Sequence, residues 1–368
     1  MKIIFNKQSL INTLNISLKA ISSRTTEEIL NCIHIRAYNE IYFTTSDMEL
    51  WIKTKVEGQV IKEGELAVNA KLFSDIIKKL PNDEVLFEVI DKQVIISSGI
   101  SKFKISYINL NGYTDIPEID EQFHMNVDSF SFKDMIKKTI FCISQSENSG
   151  YVMNGEFLEI SNNTMKLTAM DGSRIGISKK ILENSYEDKS CIIPGKTLNE
   201  ISKILPSETS QIIDIYITDN HIMFKFDETI ILSRLLSGNY INIKKMLSTD
   251  YEMKIRINKN DFVDTVDRAM LLIRDSNIQP LIIDISDDMK LRLKSNLGEM
   301  NESISIEKFD DNEIKIGVNP KFLLESLRVI EDEDISIYCI NRIAPIFIKD
   351  DEENYIYILL PVNFIEEE

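Results

Sequence analysis

Val68-Asn69-Ala70-Lys71-Leu72-Phe73, Ile193-Pro194-Gly195-Lys196-Thr197-Leu198 and Val318-Asn319-Pro320-Lys321-Phe322-Leu323 are one segment written three times, each copy 125 residues after the one before. The likeness continues downstream. The acids Asp75, Glu200 and Glu325 keep register with the lysines Lys71, Lys196 and Lys321, and the copies close on Leu80, Leu205 and Ile330. A second motif recurs near the start of each third, as Leu10 with Leu14, Phe132 with Ile136, and Phe262 with Val266. Two motifs that share one period mean three copies of one domain. Solenoid repeats run to roughly 20 to 50 residues, so a period this long describes whole domains.

The pattern inside each third is the same. A short alternating strand (Lys2 to Phe5, Met125 to Val127, Met253 to Ile257) leads to a polar residue suited to capping a helix (Asn6, Asp128, Asn258), and an amphipathic helix follows. Alternating strands come next, such as Ile41-Tyr42-Phe43-Thr44, Met165-Lys166-Leu167-Thr168 and Leu291-Arg292-Leu293-Lys294. The second helix starts near Lys71, Lys196 or Lys321, and Pro81 and Pro206 mark its end in the first two copies. Each domain is therefore an α+β unit of two helices packed on antiparallel sheets. The repeat sets the domains at 1–120, 121–247 and 248–368, joined by short linkers near 117–124 and 241–252 that favour a fixed arc over a flexible string.

Composition agrees. The chain has 368 residues and 43% hydrophobic content, enough for each third to close its own core. No apolar run approaches a membrane span, and Met1-Lys2-Ile3-Ile4-Phe5-Asn6 runs straight into polar sequence, so a cytosolic protein without a signal peptide is expected. The four cysteines, Cys32, Cys142, Cys191 and Cys339, are scattered, which argues against disulfides and a structural zinc site; no metal or cofactor is expected. The net charge of −17, from 42 basic and 59 acidic residues, argues at first against a nucleic-acid partner. Its distribution reverses that. On the predicted helices basic residues outnumber acidic ones, and the acid lies on strands and turns, although the first helix of the third copy is acidic on balance.

Apparent catalytic signals dissolve. Pro194-Gly195-Lys196-Thr197 sits between a strand and a helix like a phosphate-binding loop, but Ser190 stands where the first glycine would be, and the other copies lack the second. His34, His124 and His221 occupy non-equivalent places, one per domain. The acidic runs at Asp287-Asp288, Asp310-Asp311-Asn312-Glu313 and Asp350-Asp351-Glu352-Glu353 lack calcium-loop spacing and read as hairpin turns. An enzyme with a cleft between domains would need a nucleophile, base or metal cluster that is not visible, so a non-enzyme is expected.

Further segments carry a family resemblance: Ser46-Asp47-Met48-Glu49-Leu50, Asn154-Gly155, Asp171-Gly172-Ser173-Arg174-Ile175, Ser237-Gly238-Asn239-Tyr240 and Leu359-Leu360-Pro361-Val362. In their order and spacing, across the full length, the chain resembles the bacterial β sliding clamps, the DNA polymerase III β subunits that give the replicative polymerase its processivity. The resemblance implies a head-to-tail homodimer closing a six-domain ring, helices inward, around double-stranded DNA held without sequence preference. By that resemblance Arg24, Lys196 and Tyr151 are the leading DNA contacts, with Lys71, Lys137, Lys203 and Lys321 on the same lining. Partners such as the replicative polymerase and the clamp loader would enter through short peptide motifs. Their pocket would be lined by Met153, Met170, Gly172, Ser173, Arg174, Ile175, Ile241, Lys245, Met246, Pro345, Leu360, Pro361 and Val362. The dimer contact would set Phe103 and Ile105 against Leu271 and Leu272. Three departures touch the pocket: Ile241 replaces a usual proline, Met170 a small polar residue, and Asn363-Phe364 a basic residue and leucine, followed by acidic Ile365-Glu366-Glu367-Glu368. The alternative to a clamp is an acidic three-domain interaction scaffold that never meets DNA.

Overall fold

The computed structural model describes residues 1–22, 25–108, 110, 113, 115–119, 123–145, 151–206, 210–243, 246–247, 251–274 and 279–364. Arg24 and Lys245 lie outside the described residues.

The helices fall where the repeat puts them: α1 Lys7–Ser17, α2 Ala70–Lys79, α3 Ser129–Thr139, α4 Gly195–Ile204, α5 Lys259–Met270 and α6 Pro320–Leu327. Asparagine sets several starts. Asn6 accepts from the Ser9 N–H, Asn69 from Leu72, Asn258 from Asn260 and Asp261, and Asn319 from Lys321 and Phe322, each satisfying amides that a helix leaves unpaired. A tertiary bond also repeats. The first N–H of α1, α3 and α5 donates to the carbonyl of Asp83, Gln211 and Glu333 at 2.6, 2.7 and 2.8 Å. Each of these acceptors follows the second helix of its copy, so the two helices of every copy are fixed end to end. In the first and third copies the lysine that opens the helix adds its ammonium, Lys7 to Leu80 O at 2.5 Å and Lys259 to Ile330 O at 2.9 Å, at the far end of the second helix.

The chain divides into two compact units, Met1–Phe130 with Lys203–Leu235, and Ser131–Ser202 with Leu236–Glu368. Every strand pairing in both is antiparallel, and each unit holds two sheets.

In the first unit a five-stranded sheet runs in the order Gly58–Lys62, Lys2–Asn6, Glu84–Ile90, Gln93–Ser98, Ser101–Ser106. An eight-stranded sheet runs Phe123–Asp128, Ile212–Ile217, His221–Phe226, Thr229–Arg234, Leu50–Val56, Ile41–Ser46, Cys32–Ala37, Gly64–Asn69. Strands of the first two repeats thus share one sheet, sewn where Thr229–Arg234 pairs with Leu50–Val56. The Thr54 and Thr229 hydroxyls meet there at 2.9 Å, buried. Beneath lie Phe5, Phe43, Phe73 and Phe87, edge to face at 5.7 to 6.3 Å, with Leu10, Leu14, Ile76 and Ile77 from the apolar sides of α1 and α2.

The second unit repeats the scheme. A seven-stranded sheet runs Gly155–Met170, Arg174–Pro194, Tyr355–Leu359, Ile346–Lys349, Asp334–Cys339, Met253–Asn258, Glu307–Lys308, sewn where Arg174 to Ser178 pair with Leu359 to Tyr355. A four-stranded sheet runs Gly298–Ile304, Met289–Ser295, Leu281–Ile285, Ile314–Val318. Alternation along Met289–Ser295 buries Met289, Leu291 and Leu293 against Phe262 and Val266 of α5 and Leu323 and Leu327 of α6. No helix of the described residues is long and apolar enough to cross a membrane.

Candidate functional site

The hairpin tip at 171–173 anchors the expected pocket. Asp171 Oδ1 accepts from the Ser173 and Arg174 N–H groups at 2.9 and 3.2 Å, an Asx-type turn that needs a left-handed residue in its middle. Gly172 supplies it with φ +90°. From this turn the Arg174 side chain runs inward, buried, and is clamped on three sides. Its Nε donates to Asp171 Oδ2 at 2.9 Å, Nη1 to Glu325 of α6, and Nη2 to the Phe141 carbonyl at 2.5 Å. Its guanidinium lies 4.0 Å from the centre of the Phe322 ring. A buried cation with all its partners in place is a rigid post and strongly destabilising to strip of them.

Beside that post is an apolar floor. Met170, Ile175, Ile177, Ile243, Phe347, Ile356 and Ile358 form one buried cluster, with Met153, Tyr240, Leu247 and Tyr251 packed against it. Above it four expected pocket residues are exposed: Ile241 at 41%, Met246 at 48%, Leu360 at 42% and Val362 at 40%. Leu360 is held to the tip by its N–H on Ser173 O at 2.9 Å, and Val362 by its N–H on Gly317 O at 2.7 Å. Pro361 lies between them, half-buried, and Pro345, also half-buried, precedes Ile346, which pairs with Leu359. The structure thus joins Met153, Met170, Gly172, Ser173, Arg174, Ile175 and Leu360 through packing or hydrogen bonds, while Val362, two residues beyond Leu360 in the chain, bonds to Gly317. Ile241 and Met246 flank Ile243 in the chain, and Met246 turns back on it through an N–H to Ile243 O at 2.8 Å.

The lysines assigned to duplex DNA are on helix surfaces. Lys71, Lys196 and Lys321 each take the second position of α2, α4 and α6 and are exposed. Lys203 is exposed near the end of α4, and Lys137 is exposed on α3 with Glu331 at 3.8 Å. Tyr151, 60% exposed, opens the turn that carries Met153. Lys7, which opens α1 and is not one of the residues assigned to DNA, directs its ammonium to the Leu80 carbonyl. Of the expected dimer residues, Phe103 and Leu271 are 40% and 77% exposed, Leu272 is half-buried, and Ile105 belongs to the first unit's core. Phe103 lies on Ser101–Ser106, which ends its sheet just as Gly298–Ile304 ends the four-stranded sheet, each paired on one side only among the described residues.

Several members of the site escape sequence reasoning. Glu325 stands out in the sequence only as a repeat position, yet it neutralises Arg174 across 151 residues of chain. Phe322 and Tyr240 belong to segments that mark the repeat and the resemblance, without any sign of a place in the pocket, and Ile243 and Leu247 give no signal beyond apolarity. Glu156 gives none at all, although it is fully buried next to the pocket's Met153 turn. Its Oε2 lies 2.6 Å from Thr139 Oγ1, and burial pushes its carboxyl up to about 8 against that single hydrogen bond.

The architecture defines a class: α+β proteins that repeat a two-helix unit and sew neighbouring copies into continuous antiparallel sheets. Family models of the DNA polymerase III beta subunit match nearly all of the chain, the N-terminal domain over residues 1–119, the central domain over 126–242 and the C-terminal domain over 244–363. The beta sliding clamp of Staphylococcus epidermidis is 32% identical over 98% of this chain and 99% of its own. Among solved structures, a chain from Eubacterium rectale assigned as a DNA polymerase III beta subunit is 42% identical with a TM-score of 0.95, covering 99% of both chains. The DNA polymerase sliding clamp of Bacillus subtilis is 29% identical with a TM-score of 0.94, over 99% of this chain and 100% of its own. The chain belongs to the DNA polymerase III beta-subunit family, the β sliding clamps.

Proposed function

We propose that this chain works as a DNA sliding clamp of replication through three surfaces, on domains at 1–120, 121–247 and 248–368. Membership of the clamp family carries the function itself and leaves the scaffold reading without support. We assign the surfaces from the residues. Duplex DNA meets Lys71, Lys196 and Lys321 with Lys137, Lys203, Tyr151 and Arg24. The observation that supports this best is the register: one exposed lysine at the same first-turn position of three helices, in a chain of net charge −17. Charge without base-reading groups gives attraction that depends on salt and not on sequence, which is what sliding requires.

Two chains join head to tail and close a ring, the edge Ser101–Ser106 with Phe103 adding to the edge Gly298–Ile304 near Leu271 and Leu272 of the partner. Unpaired edge strands are ready templates for such addition. Peptide motifs of the polymerase and the clamp loader insert apolar side chains over the floor of Met170 and Ile175, between Met246 and Leu360, with Arg174 fixing the wall, Ile241 on the rim and Lys245 assigned to the same contact from sequence alone.

The test is topological. Loaded protein should stay on nicked circular DNA through a salt wash and run off the same DNA once linearised; equal retention on both would overturn the clamp assignment. Replacing Lys71, Lys196 and Lys321 together by alanine removes six lysines from the two-chain ring and should lower the slope of log affinity against log salt by about 5, roughly 0.9 for each phosphate that a lysine no longer neutralises. An unchanged slope would remove those lysines from the DNA face.

A further inference from the structure

Glu156 is the one acidic side chain of the described residues with no exposed surface, and only one of its oxygens has a partner. It is the second residue of the long strand Gly155–Met170, two residues after Asn154 ends the turn that carries Met153. Its cross-strand neighbour is the apolar Ile193. Thr139, the last residue of α3, is also fully buried, and its hydroxyl lies 2.6 Å from Glu156 Oε2 and 2.8 Å from Met135 O one turn back.

A hydroxyl has one proton to give, and two acceptors compete for it here. When the carboxyl is neutral, Glu156 donates to Thr139 Oγ1 and Thr139 donates to Met135 O, so every proton has a place. When it is ionised, Thr139 must turn from the helix to the carboxylate, and Oε1 is left as a buried partial charge without a donor, which costs far more than an unpaired neutral group. The titratable groups facing this carboxyl are the Cys142 thiol, from the turn after α3, and the Tyr240 phenol, from the segment that leads to Ile241. Burial lifts both above their ordinary ranges, so neither supplies a charge of either sign while Glu156 titrates. Arg174, Asp171 and Glu325 act on Cys142 rather than on Glu156. Among the described residues no cation is at hand to hold the ionised form.

This carboxyl is wired to the peptide pocket by three routes. Along its own strand it adjoins the turn of Met153, whose carbonyl accepts from the Ser144 N–H at 2.9 Å. Through Thr139 it holds the end of α3, and two residues on, Phe141 O accepts from Arg174 Nη2 at 2.5 Å. Its neighbour Phe157 stacks on Tyr240 with centroids 5.2 Å apart, and Tyr240 packs on the pocket floor.

We propose that Glu156 is a positioning residue of the peptide pocket that acts only as the neutral acid, so that partner binding is lost when this one carboxyl gives up its proton. The proposal rests on the pocket assignment made above. Since burial pushes the carboxyl up to about 8, affinity is full near pH 7 and falls as pH rises through that value. If only the protonated form binds, the dissociation constant at pH 9 is about tenfold that at pH 7, because only a tenth of the protein is then competent.

The experiment measures binding of an N-acetylated leucine- and phenylalanine-containing hexapeptide, without groups that titrate between pH 6 and 10, to the full-length protein from pH 6.5 to 9.5. Wild type should weaken about tenfold between pH 7 and 9. Glu156→Gln, whose amide donates to Thr139 as the acid does, should bind like wild type at pH 7 and stay flat. Glu156→Leu should also be flat but weaker throughout, because it removes the bond to Thr139; binding as tight as the glutamine variant would reduce Glu156 to a space filler and overturn the proposal. Identical pH profiles for wild type and Glu156→Gln would overturn it too, as would a carboxyl carbon resonance that titrates in the ordinary glutamate range. Absence of peptide binding at every pH in all three proteins is a different failure, that of the pocket assignment itself.

Discussion

The turn at Asp47 and the turn at Asp171 close their hairpins with the same bonds. Asp47 Oδ1 accepts from Glu49 and Leu50 N–H at 3.1 and 2.8 Å, as Asp171 does from Ser173 and Arg174. Each turn leads into a seam where strands of adjacent repeats join, and at each seam the next N–H outward, that of Arg234 or Leu360, donates to the turn at 2.9 Å. What differs is which strand carries the charge. In the first seam Leu50 is buried and Arg234 is outside, its guanidinium 5.8 Å from the centre of the Trp51 ring. In the second Arg174 is buried and Leu360 is outside. Ile116 and Ile119 of the chain itself pack on the first seam's Trp51, Met223 and Leu232. The second seam is floored by Tyr240, Ile243 and Leu247 but keeps Met246 and Leu360 exposed. The proposed pocket differs from its duplicate joint in that a leucine and an arginine trade strands: the cation goes inside as a fixed post, and the surface gains the apolar group.

The largest expected effect comes from undoing the exchange on the inner strand. Arg174→Leu copies the first seam but leaves Glu325 and Asp171 without their cation, and should destabilise the second unit by about 3 to 5 kcal/mol in urea unfolding. A loss below about 1 kcal/mol would mean that the post is dispensable and the two seams are interchangeable. Undoing the exchange on the outer strand should act on binding instead. Leu360→Arg should weaken peptide binding at least about 30-fold while the dimer sediments unchanged. The reciprocal Arg234→Leu should leave peptide affinity untouched; a gain of binding there would show that the first seam is a latent second pocket.

The two seams mark where the sequence can and cannot be read. The repeat, both helices of each copy and the asparagine caps are local, decided by residues within a turn of one another, and Asn6, Asn258 and Lys71 announce them. The seams are not local. Nothing in Thr229–Arg234 names Leu50–Val56 as its neighbour, because strand pairing is chosen by matching faces and any alternating strand offers such a face. For the same reason the repeat predicts three separate α+β units, whereas the sheets run on from one repeat into the next. Arg174 is legible from its motif, but its partner Glu325 is not, and Lys7 looks in sequence like any solvent-facing lysine although its ammonium is on the Leu80 carbonyl. Glu156 is the extreme case. A glutamate beginning a strand reads as surface, and only burial on both sides gives it another chemistry.

The smallest effect probes the turns themselves. If they are one structure written twice, both middle residues must be left-handed, and they are: Met48 at φ +77° and Gly172 at φ +90°. A side chain in that region costs about 1 kcal/mol relative to glycine. Met48→Gly should therefore be more stable than Met48→Ala, which has lost the same side chain beyond Cβ, by up to about 1 kcal/mol, a rise of a few degrees in Tm at most. Gly172→Ala should cost about the same, and for a backbone reason only, because a Cβ there meets nothing within 4 Å. Peptide affinity should follow only the second substitution, since Gly172 and not Met48 aims the Ser173 carbonyl that holds Leu360. Glycine more stable than alanine at both positions, which have the same hydrogen bonds, would confirm that the seams share a backbone and differ in side chains; a preference at only one would separate them at the turn.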